Sequence, residues 1–177
     1  MRIYKLRPDV TNYPMFVFAD AHARELPHLD GTKLRDTWQR IAIEPFRSAD
    51  NQKVPLPDFG ALGTIPIFSK GAVSALRDLL GAHGELLPLD SQEGSYVAFN
   101  GTRVIDVLDA HESEILYFKS GRVKDITRFS FDAPAITAPI FKIPQLVSTE
   151  VFVTDEFVSK TVQHSLSGFE FHTVFAA

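Results

Sequence analysis

Two stretches of the chain show the same order of patterns. Residues 151–175 read VFVTDEFVSKTVQHSLSGFEFHTVF, and residues 67–89 read IFSKGAVSALRDLLGAHGELLPL. Each begins with an apolar run typical of a strand, continues with a hydroxyl residue that can cap a helix, and then places apolar residues at helical spacing. The capping residues are Thr154 and Ser69. Both stretches therefore predict a strand, a helix and a second strand.

A glycine closes each helical pattern before alternation resumes. It is Gly168 in the later stretch and either Gly81 or Gly84 in the earlier one. Asp155 and Glu156 add negative charge to the first turn of the later helix, where the helix dipole favours it. The similarity indicates either a decayed duplication or the same local solution reached twice. In both cases we expect an α+β fold, a mostly antiparallel sheet with a few short helices, in which two strand-helix-strand units pack on the sheet.

The remaining sequence divides into a loop-rich part and a well-patterned part. We expect a single domain over residues 1–177, with a loop-rich N-terminal part at 1–64 and the best-patterned core at 65–177. Residues 20–63 show little periodicity, and only 38–43 indicates a strand. Glycines 60 and 63 in this region are expected to serve as turn residues.

Three further segments carry local predictions. Residues 114–131 alternate on both sides of Ser120 and Gly121 and predict a hairpin. The apolar spacing of 102–113 makes it a candidate short helix. The segment 132–146 has three prolines and one apolar stretch, APIFKI at 138–143, which predicts an edge strand or an extended connection. With 15 Phe against 2 Met and 1 Trp, we expect a core rich in phenylalanine.

Composition argues against several classes of function. The net charge of −4 and the lack of a basic run argue against nucleic acid as a partner. There is no cysteine, which excludes a disulfide framework and a thiolate metal site. The sequence has no apolar segment long enough for a membrane span and no secretory signal, so we expect a cytoplasmic protein with no membrane partner.

One loop has the composition of a metal site. His22 and His28 lie among Asp20, Glu25 and Asp30. These residue types bind transition metals, but their spacing matches no metal motif, and a polar loop has the same composition. No catalytic, cofactor-binding or metal-binding residue is therefore assigned, and the chain is expected not to be an enzyme.

Acidic residues are concentrated in a second segment. Asp106, Asp109, Glu112 and Glu114 occur with no Lys or Arg between them. They form either a solvated face or a negative patch that meets a basic partner, and in the latter case charge reversal at Asp109 and Glu112 weakens binding in a salt-dependent way. With Asp58 in the loop-rich part, they are the candidate partner-binding residues. Asp109, His111 and Glu112 also leave a general acid and base open.

Several segments resemble one known family. They are IPIFSKGAVSALRDLL, GELLPLD, YVAFNGTRVIDVLD, the hairpin from EILYF to FSFD, APIFKIPQL and STEVFVTDEFVSKTVQHSLSGFEF. Their order and spacing resemble the bacterial immunity proteins typified by a Myxococcus member, a family of polymorphic toxin systems often found beside type VI secretion genes. The resemblance is good over residues 65–175 and loose before them.

The resemblance implies a protein without a reaction or cofactor of its own, which binds a cognate toxin domain encoded by an adjacent gene and neutralises it. Two alternatives stay open. One is a small-ligand-binding or enzymatic domain that uses residues 20–30 or 106–114, and the other is an adaptor of a secretion system. The sequence leaves the oligomeric state undetermined.

Overall fold

The computed structural model describes residues 1–20, 27–47 and 53–177. Within these residues the chain forms twelve strands and three helices. The strands are β1 (Arg2–Pro8), β2 (Met15–Phe18), β3 (Ile41–Phe46), β4 (Phe59–Leu62), β5 (Ile65–Ser69), β6 (Gly84–Ser91), β7 (Tyr96–Gly101), β8 (Glu114–Tyr117), β9 (Val123–Arg128), β10 (Ile140–Phe141), β11 (Phe152–Thr154) and β12 (Phe169–Ala176). The helices are α1 (Lys70–Ala75), α2 (Arg77–His83) and α3 (Asp155–Gln163). The α+β class predicted from the sequence is confirmed.

The earlier strand-helix-strand unit is β5, α1, α2 and β6. Ser69 caps α1 as predicted, because its Oγ accepts a hydrogen bond of 3.0 Å from the N–H of Ala72. The helical stretch breaks at the buried Leu76 and resumes as α2. Gly84 ends it, and a Cβ there would lie 2.4 Å from the Phe99 ring, so close packing requires this glycine. The predicted strand-helix-strand unit is therefore present, but the sequence did not indicate that its helix breaks at Leu76.

The later unit is β11, α3 and β12. Thr154 occupies the N-cap position, but its side chain makes no capping hydrogen bond. Asp155 instead accepts hydrogen bonds from the Arg2 N–H at 2.7 Å and the Tyr4 hydroxyl at 2.9 Å, which ties the helix to β1. Gly168 has a φ of +84°, and a Cβ there would lie 2.3 Å from the Phe59 carbonyl oxygen. Both the backbone conformation and the close approach therefore select glycine.

The two units have the same strand topology. In the larger sheet, β5 and β6 flank β7 and both run antiparallel to it, while β4 pairs with the outer side of β5. In the four-stranded sheet, β11 and β12 flank β1 in the same way, and β10 pairs with the outer side of β11. We call these two four-stranded arrangements module 1 (β4, β5, β6 and β7 with α1 and α2) and module 2 (β1, β10, β11 and β12 with α3).

Strands β2 and β3 extend module 1. β3 pairs in parallel with β6 and antiparallel with β2, which gives a six-stranded sheet in the order β2-β3-β6-β7-β5-β4. The two edge strands of that sheet approach each other, because a Cβ on Gly60 of β4 would lie 2.7 Å from the Phe16 ring of β2. The sheet is therefore curled almost onto itself.

Phenylalanine dominates the core, as predicted. Six of the largest fully buried side chains are phenylalanines: Phe59, Phe68, Phe99, Phe141, Phe152 and Phe157. One cluster joins both modules and the helices, and a second packs β10 and β11 against residues 107–131. None of the helices in the described ranges is long and apolar enough to cross a bilayer.

Other local predictions had mixed outcomes. The hairpin is present as β8 and β9, and APIFKI contains the short edge strand β10. The candidate helix at 102–113 was wrong: Val104 and Leu108 form isolated β-bridges with Lys142 and Phe131. Gly63 is a turn residue with a φ of +60°, whereas Gly60 lies inside β4, a strand that the sequence did not indicate.

Candidate protein-binding surface

The β8–β9 hairpin is a separate two-stranded sheet on the module 2 side of the core. Ile126 of β9 is 2% exposed and belongs to the cluster around Phe131 and Phe152. Ile115 and Val123 pack on the same cluster. An isolated hairpin is marginally stable in water, so this one-sided burial is what holds the two strands in place.

The end of the hairpin exposes three consecutive large apolar residues. Leu116, Tyr117 and Phe118 are 47%, 58% and 48% exposed. The Arg122 guanidinium lies 5.9 Å from the centre of the Phe118 ring, and the Phe118 N–H donates to the Arg122 carbonyl at 2.8 Å. Contiguous exposed apolar side chains on an ordered element are typical of protein interaction sites. We call residues 116–124 the hairpin tip.

Most of the predicted acidic residues lie at the opposite end of the hairpin. Asp109 Oδ1 accepts hydrogen bonds from the N–H groups of His111 at 2.9 Å and Glu112 at 3.1 Å, which builds the turn that leads into β8. Glu114 opens β8 and forms an ion pair of 3.0 Å with Arg128. Glu112 is exposed beside them. The hairpin therefore has exposed apolar residues at its tip and acidic residues at its other end.

The two other predicted partner-binding residues have contacts elsewhere. Asp106 precedes this turn and accepts a hydrogen bond of 3.3 Å from Gln145. Asp58 is half-buried: its Oδ1 accepts from the Ser69 hydroxyl at 2.7 Å, and its Oδ2 accepts from the Ser167 N–H at 3.0 Å. Because Ser69 caps α1 and Ser167 precedes β12, Asp58 connects the two modules.

A second surface comprises residues 27–40 together with β2 and β3. These elements line an open cleft of about 650 Å³, whose described lining includes Phe18, His28, Trp38, Arg40 and Ile41. The Trp38 indole N–H donates to the Pro88 carbonyl at 2.8 Å, which holds the ring against β6. The cleft has the size of a small-ligand site, but its wide mouth leaves it open to water.

The metal hypothesis falls partly outside the described residues, because His22 and Glu25 lie in the range 21–26. Asp30 Oδ1 accepts hydrogen bonds from the backbone N–H and hydroxyl of Thr32 at 3.1 and 2.7 Å. The Thr32 hydroxyl is the main reason that the pKa of Asp30 lies below its ordinary value. Within the ranges 1–20, 27–47 and 53–177, no three His, Asp or Glu side chains converge on one point.

Three buried polar side chains hold residues 29–35 against the sheets. Lys142 Nζ donates to the carbonyls of Leu29 and Val147. Asn100 Nδ2 donates to the Thr32 carbonyl at 2.7 Å and to Glu85 Oε2 at 2.9 Å. Glu85 Oε2 also accepts from the Leu34 N–H at 2.7 Å. We call Glu85, Asn100 and Lys142 the loop clamp.

Burial and hydrogen bonding shift the pKa values of both charged residues of the clamp, Lys142 and Glu85. Burial lowers the pKa of Lys142 to about 8, and the nearby Asp30 carboxylate opposes this only in part. Burial alone would raise the pKa of Glu85, but the hydrogen bonds from Leu34 and Asn100 outweigh it and leave this pKa below its ordinary value. Glu85, which accepts from the Leu34 N–H, the Asn100 amide and the Arg35 N–H, is therefore ionised, and it fixes the loop backbone.

The hairpin tip was missed in the sequence, although a signal was present. Residues 115–118 read ILYF directly before the Ser120 turn. A two-stranded hairpin has one buried face, so four consecutive apolar residues in one strand leave at least two exposed. The loop clamp had no comparable signal, since single polar residues in apolar strands do not indicate what they contact.

No protein-family model matches this chain, and no curated protein matches it significantly. The likeness to immunity proteins therefore rests on the quoted segments alone. The hairpin and the clamped loop are the features of the described residues from which a function can be argued.

Proposed function

We propose that the protein is an immunity protein, which binds a cognate bacterial toxin and neutralises it by protein–protein interaction without catalysis. The observation that carries this proposal is the exposed hairpin tip, where Leu116, Tyr117 and Phe118 are about half exposed on a hairpin that Ile126 anchors to the core. Aromatic residues and arginine on a rigid element are the residues that most often dominate binding energy at protein interfaces.

Large apolar side chains are costly to leave in water. Burial of apolar side chains against a partner is favourable, and the half-exposed tip leaves that free energy unused in the free protein. The anchor residue Ile126 holds the strands before binding, so little further ordering is needed when a partner covers the tip. A surface of this kind is suited to tight binding.

The class of partner comes from the resemblance. The quoted segments resemble immunity proteins, whose partner is a toxin domain encoded by an adjacent gene and often linked to type VI secretion. We propose that neutralisation occurs in the cytoplasm, where the toxin would act.

Co-expression tests the proposal directly. The C-terminal domain encoded by the adjacent gene is induced in cells that do or do not express this protein, and survival is counted. We expect killing without the protein, survival with it, and co-elution of the two purified proteins as a complex. The absence of both protection and a complex would overturn the proposal, and a stable complex with a non-toxic partner would indicate a secretion adaptor instead.

The cleft beside Trp38 supports a second candidate, a small-ligand-binding or enzymatic domain. Its volume of about 650 Å³ lies in the range of ligand sites. If that function were correct, the wild-type protein would retain a ligand, and His28→Ala and Arg40→Ala would abolish its binding. Intact protection in both variants, with no ligand detected by native mass spectrometry, would exclude it.

A further inference from the structure

We propose that the hairpin tip docks into a cleft of the toxin that has an acidic floor and a basic rim. This docking mode rests on the proposed function and adds the surface and the partner chemistry to it. It follows from how charge and apolar area are distributed along the hairpin.

The tip is basic although the chain is acidic. Lys119, Arg122 and Lys124 are exposed, and residues 116–124 contain no Asp or Glu, whereas the whole chain has a net charge of −4. The remaining cation of the hairpin, Arg128, is matched by Glu114 at 3.0 Å. Three cations beside Tyr117 and Phe118 therefore favour an anionic surface with an apolar component.

The charge changes sign directly beyond the tip. Asp125 follows the tip in β9 and opposes Leu116, whereas Asp109 and Glu112 lie in the turn that precedes β8, at the other end of the hairpin. All three are exposed, and none forms an ion pair within the described part of the chain. We call Asp109, Glu112 and Asp125 the acidic collar. The partner surface that meets the collar must be basic.

This sign change favours a protein over a polyanion. The strand β8 has four residues, so its end at the tip and its end beside the turn of Asp109 and Glu112 are separated by about 10 Å at 3.3 Å per residue. Nucleic acid and anionic lipid present the same sign over longer distances, so the collar would repel them while the tip attracted them. A protein cleft can change sign between floor and rim, and can also supply the apolar contacts that Tyr117 and Phe118 require.

Binding of hairpin variants tests this docking mode. The probe is the purified, catalytically inactivated toxin domain from the adjacent gene, titrated by calorimetry and by surface plasmon resonance. The first variant combines Tyr117→Ala with Phe118→Ala. We expect its Kd to rise by at least about 30-fold, because two central aromatic contacts are lost.

The second and third variants test the charges. Lys119→Glu with Lys124→Glu should slow association by about 10-fold and weaken its salt dependence, since exposed charges act mainly on the encounter rate. Asp109→Lys with Glu112→Lys should also slow association if the rim of the cleft is basic. Faster association of this collar variant would overturn the predicted rim.

Matched controls separate docking from general surface effects. Val162→Ala removes an apolar side chain that is 71% exposed on α3, and Lys70→Glu reverses an exposed cation in α1. Both should leave Kd unchanged. The unfolding temperature of every variant is measured, and we expect the wild-type value in all except the collar variant, where Asp109→Lys removes the acceptor of the His111 and Glu112 N–H groups. Glu112→Lys alone keeps this turn, and it should slow association in the same direction.

The outcomes distinguish the two proposals. If the wild-type protein neither protects nor binds the toxin domain, the proposed function fails and the docking mode fails with it. If it protects and the hairpin variants bind with wild-type Kd, only the docking mode is overturned. Hairpin-dependent binding to a single-stranded RNA or to phosphatidylserine vesicles, with an unchanged toxin Kd, would overturn it in favour of those partners.

Discussion

Lys142 shows how one buried charge can fix a surface segment. The side chain is 3% exposed, yet its ammonium group donates to two backbone carbonyls, those of Leu29 and Val147. Removing a cation from water is costly unless hydrogen bonds replace the lost hydration, and two carbonyls replace only part of it. The result is a lowered pKa, and with it a dependence of stability on pH.

We predict that the contribution of Lys142 to the stability of the folded protein increases as the pH rises from 8 to 10.5. The pKa of Lys142 is about 8 in the folded protein and 10.5 in its ordinary state. Between these values the unfolded chain binds more protons than the folded one, so raising the pH favours folding; below pH 8 the contribution of Lys142 is constant. The gain is on the order of 3 kcal/mol.

Urea unfolding of the wild type and of Lys142→Met over this pH range isolates the effect. Other groups titrate in both proteins, so only the difference in their free energies of unfolding reports on Lys142. That difference should move in favour of the wild type as the pH increases. A constant difference would show that Lys142 titrates normally and is therefore not buried against the carbonyls.

At the residue level, the sequence predicts the role of a side chain only where its partner lies a few positions away along the chain. Ser69 was identified as a cap because its partner, Ala72, is three positions away. The contact between Lys142 and Leu29 spans 113 positions, and no local pattern indicates it. Side chains with long-range contacts therefore stayed unassigned, although the three residues of the loop clamp hold residues 29–35 in place.

Among the elements, a clear period led to most of the correct predictions, but it misled over residues 102–113. The helices of both units and the β8–β9 hairpin were found because each has a clear period over several residues. Residues 102–113 have apolar residues at helical spacing, but Val104 and Leu108 are fixed by bridges to distant strands. β4 was missed because its sequence, FGAL, contains Gly60 and shows no alternation of apolar and polar residues.

Asp58 links the start of α1 to the segment that leads into β12. We predict that Asp58→Ala lowers the free energy of unfolding by about 1–3 kcal/mol, since donors on Ser69 and Ser167 lose their acceptor. Asp106→Ala, at an exposed position, should change it by less than about 0.5 kcal/mol. Thermal and urea unfolding of both variants give the comparison.

The same variants test Asp58 as a partner contact. Its carboxylate oxygens are already engaged within the protein, so we expect Asp58→Ala to keep the wild-type affinity for the toxin domain once folded. A large loss of affinity without a loss of stability would reverse this interpretation. It would return Asp58 to the binding surface.

The whole molecule combines two modules that differ in chain order. In module 1 the central strand β7 follows β6 directly, so the order is β4, β5, helix, β6, β7. Module 2 has the order β10, β11, helix, β12, but its central strand β1 comes from the start of the chain. Joining β12 to β1 would make the two orders identical. The similar patterns of residues 67–89 and 151–175 therefore belong to two modules with the same arrangement of strands.

The ends of β12 and β1 are positioned for such a connection. The amino group of Met1 donates to the Ala177 carbonyl at 3.1 Å, and the Ala177 N–H donates to the Met1 carbonyl at 3.1 Å. The strands are antiparallel neighbours, so a short Asn-Gly turn can join them. The turn between β1 and β2 is exposed, with Val10 52% exposed, and is a suitable place to open the chain.

We predict that a circular permutant with Ala177 joined to Met1 through Asn-Gly, and opened between Val10 and Thr11, folds to the native structure. It should unfold in a single transition and refold faster than the wild type, because β1 and β12 no longer have to meet across the length of the chain. Stopped-flow refolding and thermal unfolding provide the two measurements.

The matched control carries the same linker but opens between Ile67 and Phe68, in the middle of the fully buried β5, and should fail to fold. If both permutants failed alike, β1 would need to start the chain for module 2 to form, and the two modules would be equivalent in geometry but not in folding.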